Sequence, residues 1–246
     1  MPRFFVKKEQ IEKNNIIITG EDVKHIKNVL RKKQGDNIEI CNQDSGESYT
    51  CEIEKVENEK VLTKIIEKLQ VCYDSIKVDI YQGLPKADKM ELIIQKSVEL
   101  GANSIIPVAM KRCVVKIEPK EETKKISRWQ KIAESAAKQC GRDKIPIIKS
   151  ITTTKDILTN INDYDVVLVA YENEKENTLK QELKKLKEQS NVKIAILIGP
   201  EGGLEEKDVG KLKENGAKII TLGNRILRTE TVALNMLSII MYELEG

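Results

Sequence analysis

The sequence has little of what a metal hydrolase, a disulfide scaffold or a membrane protein requires. Its single histidine, His25, excludes mechanisms that need a histidine pair, and we expect no metal site. Its five cysteines are odd in number and form no C-x-x-C pair, which argues against disulfide bridges and zinc. No apolar run approaches the roughly 18 residues that span a bilayer. The first ten residues lack the pattern of a signal peptide, so we expect a cytoplasmic protein.

An excess of charge of one sign is also missing. The chain of 246 residues carries 42 basic and 39 acidic side chains, a formal net charge of +3. Binding to nucleic acid depends on where cations cluster, since the attraction to phosphates is local. Net charge therefore permits an RNA partner without arguing for one.

The N-terminal region, residues 1–72, has the short alternating pattern of β-strands. Tyr49, Cys51 and Ile53 alternate with polar residues, and a second apolar run at residues 61–66 follows a turn. Side chains of a strand point to opposite faces in turn, so this pattern describes strands with one buried face. We predict a small β-rich domain.

One helix interrupts this region. It opens after Gly20 and is predicted to end at Gly35, with Ile26, Val29 and Leu30 on its buried face. The sequence thus predicts an amphipathic helix within the β-rich domain.

A basic face is expected on the same helix. Lys24, Lys27 and Arg31 lie three and four residues apart, which places them together on a helix surface. Arg3 is a further candidate for RNA contact. The alternative is a solvated charged face with no ligand, and both interpretations remain open.

The C-terminal region, residues 73–246, alternates strands with longer helices. Such alternation predicts a mostly parallel sheet covered by helices on both sides. We expect the domain boundary near residues 70–76 and an exposed helix within the Lys/Glu-rich residues 172–190. The predicted strands are 76–81, 104–110, 165–170, 192–198 and 217–222. The predicted helices are 86–100, 124–140, 178–188, 204–214 and 230–244.

Packing is predicted from two features of these helices. Trp129 lies inside a helical pattern and is expected in the core. The closing helix is apolar on most sides, which predicts either a buried core helix or a dimer interface.

A glycine-rich segment follows the apolar strand at residues 192–198. Its candidate ligand-binding residues are Ile198, Gly199, Pro200, Glu201, Gly202 and Gly203. In parallel α/β sheets, ligands bind beyond the carboxyl ends of strands, and glycine lets the backbone approach a ligand closely. An ordinary tight turn is the alternative.

The ligand of this segment is not expected to be a phosphate. Neither G-x-x-x-x-G-K-[ST] nor G-x-G-x-x-G is present. Glu201, Glu205 and Glu206 crowd the start of the next helix, where their charges would repel an anion. S-adenosylmethionine, which has a cationic sulfonium and no phosphate, fits this loop better.

A second candidate segment leaves the strand at residues 217–222 and enters the last helix. Its apolar side chains would pack on an adenine ring while its backbone binds the edge of the ring. Alternatively, Leu227 fills the core and Thr229 or Thr231 caps the helix. The candidate cofactor residues here are Leu222, Gly223, Ile226, Leu227, Arg228, Thr229 and Thr231.

Several motifs, in this order along the chain, resemble the RsmE family of bacterial ribosomal RNA methyltransferases. They occupy residues 25–31, 86–91, 96–101, 134–142, 198–203 and 222–231. The resemblance implies a PUA-like RNA-binding domain over residues 1–72 and a SPOUT domain with a trefoil knot at the cofactor site over residues 73–246. It also implies a homodimer that methylates N3 of one uridine in 16S ribosomal RNA. Leu204 and Asn224 depart slightly from the family pattern.

Candidate catalytic residues follow from this reaction. N3 of uridine must lose a proton, and without a histidine in the C-terminal half either a carboxylate or solvent accepts it. Glu230 is our candidate base, and Arg228 is a candidate for stabilising negative charge on the uracil oxygens.

Further basic residues follow predicted strands or helices. Lys86, Lys89, Arg112 and Arg142 either contact RNA phosphates or are ordinary surface charges.

Rival functions remain open from the sequence. A non-enzymatic RNA-binding or ribosome-assembly protein would keep the basic N-terminal face but need no cofactor loop. A nucleotide-dependent enzyme would use the glycine segment for phosphate, which the neighbouring glutamates oppose. Binding of S-adenosylmethionine, or competition by ATP, distinguishes them.

Overall fold

A computed structural model describes residues 1–70 and 76–245 of the chain. The first compact unit is made of Met1–Tyr73 and Ala137–Ile145, and the second of Asp74–Ala136 and Pro146–Gly246. The predicted boundary, with Val71 and Cys72, lies outside the described residues. Residues 137–145 pack with the first unit, so this unit is made of two stretches of the chain that are far apart in sequence.

The first unit is built on a sheet of six strands in the order β1-β4-β5-β6-β3-β2. The strands are β1 (Arg3–Val6), β2 (Ile11–Glu12), β3 (Asn15–Thr19), β4 (Asn37–Asn42), β5 (Ser48–Val56) and β6 (Lys60–Lys68). Strands β1 and β4 run parallel, and the other pairs are antiparallel. Tyr49, Cys51 and Ile53 are buried, so the predicted alternation and the β-rich N-terminal domain are confirmed.

The helix predicted over residues 20–35 ends early. It begins as α1 (Glu21–Lys24) and continues as one π-helical turn (His25–Val29), after which Arg31 has a φ of 51°. Val29 is 69% exposed, so its predicted place on the buried face is wrong. The wider π turn departs from the spacing of 3.6 residues per turn on which the prediction relied.

The second unit is built on a sheet of seven strands, in which β10-β8-β7-β12-β11-β13 are neighbours in that order and β9 pairs with β8. The strands are β7 (Ile76–Gly83), β8 (Ser104–Ala109), β9 (Ile147–Ile148), β10 (Thr152–Thr153), β11 (Val166–Ala170), β12 (Val192–Ile198) and β13 (Lys218–Ile220). Every pairing in it is parallel. The predicted parallel sheet is confirmed.

Helices alternate with these strands. They are α2 (Lys89–Glu99), α3 (Pro119–Cys140), α4 (Thr154–Thr159), α5 (Leu179–Lys184), α6 (Glu206–Glu214) and α7 (Thr229–Leu244). Helix α2 begins later than predicted, because Ala87 has a φ of 52°. Within the described parts of the chain, no helix combines the length and apolarity needed to cross a membrane.

The helix predicted at residues 178–188 is present but shorter, and the exposure predicted for it within residues 172–190 is wrong. Only α5 is helical there, and Leu179, Leu183 and Leu186 are buried. Even Glu182 is only 5% exposed. The prediction gave weight to the abundant Lys and Glu residues and missed the buried apolar face of this short amphipathic helix.

A polar cluster lies inside the second unit, among otherwise apolar packing. The Asp79 carboxylate is buried and accepts hydrogen bonds from Asn103 and Ser104, both at 2.6 Å, and from the Tyr164 hydroxyl at 3.0 Å. A buried charge is tolerated when it is hydrogen-bonded in this way. Trp129 is also buried, as expected.

Candidate functional site

The candidate site lies at the carboxyl ends of the central parallel strands. Strand β12 is almost entirely apolar and buried, and it ends at Ile198 beside Gln82 of β7. The chain then turns through residues 199–204 before α6. Because parallel strands leave their carboxyl ends on one edge, this segment lies where α/β proteins bind ligands.

The glycine segment lies close to neighbouring loops at two of its glycines. Gly203 has a φ of 70°, and a Cβ there would lie 2.6 Å from a Glu172 carboxylate oxygen. A Cβ on Gly202 would lie 3.0 Å from the Arg112 carbonyl oxygen. These glycines therefore let neighbouring loops approach the segment, and they do more than make a turn.

The second segment runs from β13 to α7. Gly223 has a φ of 102°, which turns the chain, and Ile226 is 87% exposed. Thr229 is buried, and its hydroxyl donates to the Gly199 carbonyl at 2.7 Å. Arg228 is the N-cap residue of α7 but makes no side-chain capping bond. The two predicted segments are thus directly joined.

A cavity of about 520 Å³ lies between these segments, within the size range of small-molecule sites. It is lined by Lys89, Ala170, Tyr171, Glu172, Lys175, Ile198–Leu204, Thr221–Thr229 and Val232. Every predicted cofactor residue lies in this wall except Thr231, which is exposed in the first turn of α7. Thr231 as a cofactor contact stays a prediction.

The last residue of β11 and residues that follow it were not predicted from the sequence as cavity residues. Ala170, Tyr171, Glu172 and Lys175 line the cavity because β11 ends at the same edge as β12. The rule that ligands bind beyond strand ends, applied to β11 as well, would have found them.

The charges beside the cavity form a connected group around Lys89. Its ammonium lies 3.0 Å from the Glu201 carboxylate and 3.1 Å from that of Glu230. Both carboxylates raise the pKa of Lys89, Glu201 more than Glu230. We call these three residues the Lys89 triad. Glu230 is held in the triad and does not itself line the cavity.

The carboxylate of Glu201 is also held by backbone groups. Burial raises its pKa, but hydrogen bonds from its own backbone N–H, from the backbone N–H of Lys86 and from Lys89 outweigh burial. The net effect holds the pKa of Glu201 below its ordinary value. Glu201 is therefore an ionised anchor of the glycine segment.

The predicted basic face of the first unit is only partly formed. Lys24 and Lys27 are exposed on α1 and its π turn, and the Lys27 ammonium donates to the Asn58 side chain at 2.9 Å. Arg31 is exposed too, but it lies beyond the last helical residue. The helical spacing that grouped it with the lysines therefore does not apply to it.

Arg3 has a different place from the one predicted. Its guanidinium pairs with Glu39 and Asp143, both at 2.7 Å, and donates to the Gly141 carbonyl. The side chain is only 13% exposed. We assign Arg3 a structural role in place of the predicted RNA contact.

The remaining predicted RNA contacts are divided between the units. Arg142 belongs to the first, whereas Lys86, Lys89 and Arg112 belong to the second. The Arg112 guanidinium donates to the Gly202 carbonyl at 3.1 Å, which ties it to the glycine segment. Lys86 is exposed.

Comparison with known proteins agrees with this architecture. Residues 73–241 match the family model of an RNA methyltransferase domain, and residues 18–66 match that of an RNA methyltransferase PUA domain. Ribosomal RNA small subunit methyltransferase E of Bacillus subtilis is 41% identical, over 100% of this chain and 98% of the relative. The protein of that name from Mesomycoplasma hyopneumoniae is 33% identical, over 97% of this chain and 98% of its own.

Solved structures show the same fold. Ribosomal RNA small subunit methyltransferase E from Neisseria gonorrhoeae, bound to S-adenosylmethionine, has a TM-score of 0.84 and 28% identity, covering 98% of this chain and 97% of that one. A methyltransferase from Legionella pneumophila, in complex with the same cofactor, has a TM-score of 0.85 and 28% identity, covering 98% and 96%.

Fold and site together define an RNA methyltransferase with a PUA domain and a parallel α/β domain of the SPOUT type. The chain belongs to the ribosomal RNA small subunit methyltransferase E family. The resemblance found in the sequence motifs is thereby confirmed, and so is the predicted fold class.

Proposed function

We propose that this chain transfers the methyl group of S-adenosylmethionine to N3 of a uridine in 16S ribosomal RNA of the small ribosomal subunit. The cavity between the glycine segment and residues 221–229 is the observation that carries the proposal. Family membership supports the ribosomal substrate, since the curated relatives are named as methyltransferases of the small-subunit RNA. The uridine N3 position rests on the resemblance of the motifs.

The cavity residues fit S-adenosylmethionine. Ile226 and Leu227 offer apolar surface to an adenine ring, and the glycine segment offers backbone groups without side chains in the way. Glu172 lines the cavity beside Gly203, so a carboxylate is available to attract a cationic ligand. The site thus combines apolar, backbone and acidic groups suited to this cofactor.

A phosphate-dependent enzyme is a poorer match to the same site. Helix α6 begins at Glu206 with Glu205 as its N-cap residue, so carboxylates occupy the end of the helix that would attract an anion. Lys111 pairs with Glu205 at 2.9 Å and is not free to hold a phosphate there. A purely RNA-binding protein, in turn, has no use for the cavity.

The reaction needs positioning, charge stabilisation and removal of one proton. S-adenosylmethionine supplies an electrophilic methyl group on a sulfonium. Arg228 lines the cavity and is exposed, so its guanidinium is placed to stabilise negative charge on the uracil oxygens. The walls of the cavity hold the reacting groups in line, which contributes much of the acceleration.

Glu230 is our proposed proton acceptor for N3. It pairs with Lys89, which also pairs with Glu201. For Glu230 to accept a proton, its ion pair with Lys89 must break. Lys89 then keeps its ion pair with Glu201, whose carboxylate lies 3.0 Å away. The alternative acceptor is solvent, and the activity of Glu230→Gln distinguishes the two.

A cytoplasmic homodimer is part of the same proposal. Leu92 of α2 is 44% exposed and Tyr242 of α7 is 82% exposed, on helices that pack against each other. These side chains offer apolar surface to a second copy. Analytical ultracentrifugation of the full chain tests this point, and a mass of one chain at micromolar concentration would contradict it.

Mass spectrometry tests the reaction. Unmodified small ribosomal subunits are incubated with the protein and S-adenosylmethionine, and their nucleosides are analysed before and after. We expect new 3-methyluridine. A different methylated nucleoside would support the methyltransferase activity but contradict uridine N3 as the target. The absence of any methylation would reject the proposal.

A further inference from the structure

Gln82 is a buried polar residue that the motifs did not single out and the mechanism does not use. It is the penultimate residue of β7 and is 0% exposed. Its amide nitrogen donates to the Gly83 carbonyl and to the Thr229 hydroxyl, both at 2.9 Å. The Thr229 hydroxyl in turn donates to the Gly199 carbonyl. We call this chain of bonds the Gln82 relay.

The direction of the relay is set by its last member. The Gly199 carbonyl can only accept, so the single hydroxyl hydrogen of Thr229 is committed to it. Thr229 must then accept from Gln82, which requires the NH₂ end of the amide. Among the described residues, the amide oxygen of Gln82 has no hydrogen-bond partner. The two hydrogen bonds of the Gln82 side chain therefore both come from its NH₂ group.

The relay joins three parts of the second unit. Gly199 begins the glycine segment, Thr229 begins α7, and Gln82 belongs to the neighbouring strand. Gly199 and Thr229 line the cavity, whereas Gln82 does not. Leaving a buried donor or acceptor without its partner is costly, so the relay resists separation of the two walls.

We propose that Gln82 is a positioning residue for the cofactor site, holding the glycine segment against the start of α7 through Thr229. This inference rests on the proposed function and deepens it. Thr229 has the same positioning role, because its hydroxyl hydrogen is donated to the Gly199 carbonyl. The relay sets the separation of the two cavity walls before the cofactor arrives.

Isosteric variants test the relay. Gln82→Met keeps the length of the side chain but removes both donated bonds, and Thr229→Val keeps the shape but removes the hydroxyl. Thr229→Ser keeps the hydroxyl and serves as the conservative rescue. Tyr164→Phe is the matched control, because it removes a hydrogen bond to the buried Asp79 and does not line the cavity.

Hydrogen exchange of the full chain without ligand is the primary measurement. The amides of Gly199 and of residues 201–204 should exchange about tenfold faster in Gln82→Met and Thr229→Val, because the segment opens more easily. Thr229→Ser should recover most of the protection. Tyr164→Phe should leave these amides unchanged even though it lowers the melting temperature.

Calorimetric titration with S-adenosylmethionine is the second measurement. The dissociation constant should rise about tenfold in Gln82→Met and Thr229→Val relative to Tyr164→Phe. Exchange and affinity that match the control in both variants would overturn the relay. If the wild-type chain does not bind the cofactor, the proposed function fails, and the exchange result alone decides the relay.

Discussion

At the scale of single residues, the Lys89 triad holds the acidic part of the site. One ammonium lies between two carboxylates that belong to different segments, and backbone N–H groups hold one of them as well. Like charges of Glu201 and Glu230 are thereby kept together without net repulsion. The triad therefore stabilises the site and also restrains its proposed base.

Acid should weaken this arrangement. The pKa of Glu201 is lowered in the folded protein, so its contribution to stability is present above the ordinary glutamate pKa and is lost as pH falls through the lowered value. Glu201→Gln should cost about 1 kcal/mol of unfolding free energy at pH 7 and less at about pH 4, below the ordinary glutamate pKa. Urea unfolding at both pH values measures this. Glu188→Gln, at an exposed position, is the control, and equal losses in both variants would contradict the prediction.

Arg228 should affect chemistry more than binding. Arg228→Ala removes a cation placed for charge that develops during transfer, so turnover should fall by about a hundredfold. The dissociation constant for S-adenosylmethionine should change much less. Single-turnover kinetics and calorimetric titration give the two quantities. A weak effect on turnover would remove Arg228 from the mechanism.

Replacing Glu230 tests whether a carboxylate or solvent accepts the proton from N3. If Glu230 accepts the proton, Glu230→Gln should lower turnover by about a hundredfold. If solvent accepts the proton, turnover should fall little. Single-turnover rates of the variant and the wild-type chain, with S-adenosylmethionine bound, distinguish these outcomes.

At the scale of elements, α1 and its π turn are the part of the first unit best suited to RNA. Lys24 and Lys27 are exposed there, while Arg3 is held by internal carboxylates and Arg31 follows the helix end. Two neighbouring cations remain from the larger predicted set. Their contribution should be electrostatic and independent of RNA sequence.

Salt dependence tests this element. Replacing Lys24 and Lys27 together by Ala should weaken binding to a small-subunit RNA fragment and reduce the log–log salt slope by about 1.5, from roughly 0.7 to 0.9 for each lost phosphate contact. Lys64→Ala is the control, since this lysine is exposed on β6 of the same unit. An unchanged slope would exclude phosphate contacts by the two lysines.

At the scale of the whole molecule, the first unit depends on residues from far along the chain. Asp143 accepts hydrogen bonds from Arg3 at 2.7 Å and from Ser48 at 2.9 Å. Lys138 pairs with Asp22 at 2.9 Å within the same unit. The N-terminal fold is therefore completed by residues 137–145.

Loss of this connection should destabilise the protein. Asp143→Ala leaves the guanidinium of Arg3 and the hydroxyl of Ser48 without one acceptor each, at a cost of about 2 kcal/mol. Asp143→Asn keeps an acceptor oxygen and should cost less. Urea unfolding of the full chain measures both, and Asp163→Ala, at an exposed position, is the control. A loss no larger than in this control would show that the contact does not stabilise the unit.

Much of the fold and site was predictable from local patterns. The alternation in β5 and the continuous apolar run of β12 are short-range signals, and both describe the observed strands. Twelve of the thirteen cofactor residues predicted within residues 198–203 and 222–231 line the cavity, with Thr231 the exception. Residues adjacent in sequence to a strand end share its location, so a motif there is informative.

The sequence by itself determined the alternation of elements, the two loops of the site and the family, because each depends on residues close together in the chain. Only the tertiary structure decided which side chains meet. The ion pair of Arg3 with Asp143 joins residues 140 positions apart, and the bond from Gln82 to Thr229 joins residues 147 positions apart. No local period encodes such partners, because they are set by how strands and helices pack in three dimensions.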